Sequence, residues 1–100
     1  MIIYLIMDAI YKAPFRKFVK KQGRGFQLAI EDEVKAIRND PNIGVAKKGD
    51  LSAYFVHKFV FHSIDYLIAY RLKGNCIEYY MIGSHENFYR ELKRYVKEVK

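Results

Sequence analysis

The chain carries three histidines, His57, His62 and His85, and their surroundings differ. His85 stands at a change of pattern, where the apolar run ending at Ile82 passes through Gly83-Ser84 into the amphipathic stretch Glu86-Asn87-Phe88-Tyr89. Ser84 suits a helix N-cap, because its hydroxyl can accept a hydrogen bond from a free N–H of the first turn. That reading puts His85 at the first helical position, where the positive end of the helix dipole disfavours a protonated ring. An imidazole held neutral near pH 7 accepts or relays a proton. Tyr89 follows one helical turn later on the same side.

Other chemistries lack their residues. Cys76 is the single cysteine, so no intramolecular disulfide can form; it reads as a strand residue in a reducing compartment, which points to the cytoplasm. There is no Cys/His metal spacing, no Gly-rich phosphate loop opening a helix and no trustworthy Ser-His-Asp order. Neither a metal nor an organic cofactor is expected.

The elements that must position these residues come from one domain spanning residues 1–100, a length just sufficient for one apolar core. A hydrophobic share of 51%, with 16% aromatic residues, excludes disorder. Eighteen Lys and Arg against eleven acids leave a formal charge of +7, which favours a polyanion or an acidic protein as partner. Met1 to Met7 reads as a buried strand. It lacks the basic start and cleavage site of a signal sequence, and no stretch reaches the length of a membrane span.

Pro14 fits the first turn of a helix whose apolar stripe is Tyr11, Phe15, Phe18 and Val19, with Lys17, Lys20 and Lys21 on the remaining face. A second helix is expected from about Phe26 to Arg38, with Phe26, Ile30, Val34 and Ile37 on one side. Its early Glu31, Asp32 and Glu33 and later Lys35 and Arg38 would suit the helix dipole. Asn39-Asp40-Pro41-Asn42 stops it. After a loop holding Lys47 and Lys48, residues Leu51 to His62 read as a strand of mixed polarity on both faces, as in a sheet covered on one side and used on the other. Ser63-Ile64-Asp65 is the expected turn into the apolar strand 66–72, and Lys73-Gly74-Asn75 forms a hairpin into the last strand, Cys76 to Ile82. A final helix from His85 to about Val99 aligns Phe88, Leu92, Tyr95, Val96 and Val99. The expected fold is α+β, a mainly antiparallel four-stranded sheet with two N-terminal helices and one C-terminal helix.

Three segments carry a family resemblance: Lys48-Gly49-Asp50-Leu51-Ser52-Ala53-Tyr54-Phe55-Val56-His57-Lys58-Phe59, then Tyr66-Leu67-Ile68-Ala69-Tyr70, then Gly83-Ser84-His85-Glu86-Asn87-Phe88-Tyr89-Arg90-Glu91-Leu92-Lys93. Together they resemble the RelE/ParE superfamily of toxins from bacterial type II toxin–antitoxin systems. RelE-like members are metal-independent, ribosome-dependent endoribonucleases (mRNA interferases), whereas ParE-like members poison DNA gyrase. The resemblance implies a toxin acting on mRNA in the ribosome, a cognate antitoxin, and operator DNA met only through the antitoxin complex. The alternatives are a ParE-like gyrase inhibitor or a noncatalytic remnant that still binds its antitoxin.

Arginines used by RelE are replaced here by Leu67 and His85. Asp65-Tyr66 and the pair His85 and Tyr89 are more similar to the YafQ branch, whose preceding-strand histidine would correspond to His57 or His62. By that resemblance His85 is the general acid/base, His57 a second proton carrier, Asp65 an orienting or substrate-contacting carboxylate, and Tyr89 a platform for a splayed base. Lys47, Lys48, Lys58 and Arg71 would contact phosphate, while Lys17, Lys20 and Lys21 would touch ribosomal RNA away from the cleft.

Overall fold

The apolar run 66–70 lies at the centre of a five-stranded sheet, with neither face left bare. The computed structural model describes residues 8–98. Its elements are β1 (Asp8–Tyr11), α1 (Ala13–Lys20), α2 (Arg24–Asn39), β2 (Val45–Ala46), a one-turn 3₁₀ helix (Gly49–Leu51), β3 (Phe55–Phe61), β4 (Ile64–Lys73), β5 (Cys76–Ser84) and α3 (Phe88–Glu98). The sheet order is β1-β5-β4-β3-β2, with β1 parallel to β5 and the other neighbours antiparallel. The α+β class and the three helices agree with expectation.

The fifth strand is β2, which pairs Val45 with Val56 and Ala46 with Phe55. A buried phenol explains it. Tyr70 donates to the Pro41 carbonyl at 2.6 Å and accepts from the Gly44 N–H at 3.0 Å, tying the segment after α2 alongside β3. The strand expected over Met1 to Met7 lies outside the described residues, and β1 itself begins at Asp8.

One face of the sheet packs on α1 and α2. Phe26, Ile30, Val34 and Ile37 of α2 meet Phe59, Ile68, Ile77 and Tyr79. Because α2 starts at Arg24, Glu31, Asp32 and Glu33 sit in mid-helix, where the dipole gives them little. The other face is covered by α3, whose Phe88, Leu92 and Val96 pack on Val56, Leu67, Ala69 and Met81. Double coverage explains why residues 67–70 are all buried. It also corrects the expectation of one working face, since α3 covers the middle of the second face.

Two boundaries moved. The β3–β4 turn is His62-Ser63, with φ of 49° and 67°, so Ile64 and Asp65 belong to β4. The Phe61–Ile64 pair closes that ladder. Gly49–Leu51 form a 3₁₀ turn and 52–54 continue it as turn and irregular chain rather than strand, which removes the mixed polarity of 51–54 from the sheet.

Candidate functional site

At the end of β5 the chain does not pass directly into a helix. Ser84 still pairs with Tyr66, and the His85 N–H donates to the Asp65 carbonyl at 3.1 Å, so the ladder runs one residue further. Asn87 then takes a left-handed φ of 64°, and its carbonyl accepts the Glu91 N–H at 3.1 Å, opening α3 at Phe88. Asn tolerates that backbone better than most residues. Ser84 is therefore no N-cap and His85 is not the first helical residue, so the helix dipole does not act on its ring as expected. His85 instead hangs exposed from the strand–helix seam.

The seam gathers three of the sequence-derived residues. The rings of His85 and Tyr89 meet edge to face, centroids 6.3 Å apart. Lys47 reaches in from the loop after β2, its ammonium 5.0 Å from the centroid of the Tyr89 ring. That loop is fixed by the Lys47 N–H donating to the Tyr54 carbonyl at 2.9 Å. Asp65 joins through its backbone bond to His85. Lys58 pairs with Leu67, which pairs with Gly83, so it stands two strands from the seam, about 10 Å across the sheet. Lys48 is exposed at the edge of the 3₁₀ turn.

Other expected members lie elsewhere. His57 alternates with Lys58 and points to the opposite face, where its Nε2 is 2.7 Å from Glu33 Oε1 of α2. His62 sits at the β3–β4 turn with its ring stacked on Phe61, centroids 4.0 Å apart. Arg71 is five residues along β4 from Tyr66, roughly 16 Å from the seam at about 3.3 Å per residue. Its guanidinium holds buried Glu78 through Nε at 3.0 Å and Nη2 at 2.8 Å, and lies over the rings of Tyr54 and Tyr80. Sequence reading missed Glu33 and Glu78, because neither contact has a local spacing that announces it.

On the first helix, Lys17 and Lys21 line a cavity of about 370 Å³ whose far wall includes Ser84, Glu86 and Asn87. The cavity exists because β1 stops at Tyr11, beside Tyr79, leaving the outer edge of β5 uncovered from there on. Those two lysines thus flank the seam rather than lying away from it, while Lys20 is exposed outside the cavity.

Burial shapes the titration of Glu78, the partner of Arg71. Burial pushes the Glu78 carboxyl up, but hydrogen bonding and charge from Arg71, with Lys12 and Lys73, bring it below its ordinary value. Burial raises the phenols of Tyr70, Tyr79 and Tyr80. Among the described residues, no three His, Cys, Asp or Glu side chains converge on a point where a metal ion would fit. The seam can thus offer one imidazole, an aromatic ring and an ammonium to a ligand.

No curated protein matches the chain by sequence. Among solved structures, it is similar to the conserved hypothetical protein HP0894 from Helicobacter pylori, at 19% identity and a TM-score of 0.49, covering 80% of this chain and 96% of that one. Among family models, that of the ParE-like toxin of type II bacterial toxin–antitoxin systems matches residues 10–93. A match over that span establishes that the chain belongs to this toxin family.

Proposed function

We propose that the protein is the toxin of a type II pair, held in check by a cognate antitoxin, and that it cuts mRNA on the ribosome without a metal. One observation carries this reading: His85, exposed at the seam, has the Tyr89 ring beside it, and Lys47 lies over that ring. In such a cut the 2′-oxygen loses its proton to a base and attacks phosphorus. The bond to the 5′-oxygen then breaks, that oxygen is protonated, and a cyclic phosphate remains. His85 is the proton carrier, Lys47 and Lys58 supply charge to the phosphorane, Tyr89 stacks on a displaced base, and Asp65 holds the His85 backbone.

A second reading, inhibition of DNA gyrase, draws on the family description and on the position of His57. With His57 committed to Glu33 on the far face, the seam has no second imidazole from that strand.

Inducing the wild type, His85→Ala and His57→Gln in a bacterial host and mapping mRNA 5′ ends separates the two readings. The nuclease reading expects codon-positioned cuts in the wild type and in His57→Gln, and their loss in His85→Ala. Gyrase–DNA cleavage complexes without mRNA cuts would establish the second reading instead.

A further inference from the structure

Arg90, Lys93, Arg94 and Lys97 follow one another on α3 at steps of three, one and three, so they form a single stripe on its exposed side. The stripe is one wall of a groove of about 810 Å³, and the turn Gly49–Ser52 is the other. Its apolar lining residues, Leu51 and Val96, are only 4% and 8% exposed. The surface left to a ligand is therefore cationic side chain and turn backbone, with Asp50 the one carboxylate among the lining residues. Among the described residues, no carboxylate pairs with any of the four cations.

The groove continues the seam. Its stripe begins at Arg90, next to Tyr89, and its turn begins two residues after Lys47, which lies over the Tyr89 ring. From Arg90 to Lys97 the helix rises about 10 Å at about 1.5 Å per residue. Arg90 and Arg94, one turn apart, can each grip a phosphate through two parallel N–H donors.

We infer that this groove is a docking track for the phosphate backbone of an RNA strand that passes the seam; the strand's identity as RNA rests on the nuclease reading. An acidic peptide satisfies the charge but needs apolar anchors in pockets, and the groove leaves Leu51 and Val96 too deeply covered to offer them.

The test is equilibrium binding of a short fluorescein-labelled single-stranded RNA by anisotropy over a range of salt. The full chain carries His85→Ala so that the probe stays intact, and an oligoglutamate peptide of similar length runs in parallel. Adding Arg90→Ala and Arg94→Ala is expected to weaken RNA binding at least tenfold. It should also flatten the slope of log K against log salt by about 1.4, at roughly 0.7 per lost contact to a single strand. The Arg90→Lys, Arg94→Lys pair should keep the slope, and thermal unfolding should not move. RNA affinity and slope unchanged in the alanine pair would overturn the inference, as would oligoglutamate binding as tightly as RNA with the same loss. RNA held in the groove while host mRNA stays uncut would remove the nuclease reading and leave the track standing.

Discussion

A carboxylate 6% exposed in the middle of a sheet is costly unless it is paired, and Glu78 is held by Arg71 with Lys12 at 3.8 Å. Its folded-state carboxyl lies below the ordinary value of 4.5, so the stability it contributes is fully present above that pH. The contribution is lost as pH falls through the depressed folded value. Replacing Glu78 by Gln should cost about 1–3 kcal/mol at neutral pH, by leaving a half-buried guanidinium without its partner. The deficit should shrink as the pH is taken well below 4.5, which urea unfolding of both proteins across that range would reveal. If the gap instead held constant with pH, the pair would not be linked to folding in this way. The same residue shows a limit of sequence reading. Arg71 resembles a phosphate contact in the chain, and only the cross-strand register shows that two of its nitrogens already hold Glu78.

At the scale of elements, the periodic helices and the apolar strands were legible because burial of one or both faces writes itself into the pattern. Phe26, Ile30, Val34 and Ile37 are all buried as their spacing requires. What escaped was backbone geometry set by single residues: the left-handed pair His62-Ser63, the left-handed Asn87, and the tie of Tyr70 to Gly44. The way the site is assembled escaped with it, although its residues were named from the sequence. His85, Tyr89 and Lys47 come together through a turn and a loop, and alternation alone could not tell which face His57 takes. The Tyr70 tie makes a sharp prediction. A Cβ on Gly44 would lie 2.7 Å from the Tyr70 hydroxyl, whose ring is fully buried and unable to retreat. Gly44→Ala should therefore cost about 1–3 kcal/mol in chemical unfolding. Gly25→Ala, where an added Cβ meets nothing within 4 Å, should be neutral or stabilising. Equal effects of the two substitutions would refute the tie. Because the loop after β2 carries Lys47, Gly44→Ala should also disturb the seam.

Over the whole molecule, the three antiparallel strands β3, β4 and β5 are joined by tight turns, whereas β1 finds its partner 68 residues later, Asp8 opposite Cys76. A chain emerging from the ribosome can fold its α1–α2 hairpin early, but the sheet that hairpin packs on is not yet made. At about 5–20 residues per second, the gap from Tyr11 to its partner Tyr79 corresponds to roughly 3–14 s of synthesis. Nascent chains stalled before Cys76 should remain open to protease across residues 8–40, and chains extended past α3 and clear of the exit tunnel should be protected there. Early protection of the shorter chains would contradict this order. The seam takes His85 and Tyr89 from the end of β5 and the start of α3, which follow every other described strand in the chain. On a translating ribosome His85 and Tyr89 therefore meet Lys47 only after every strand of the described sheet has been made.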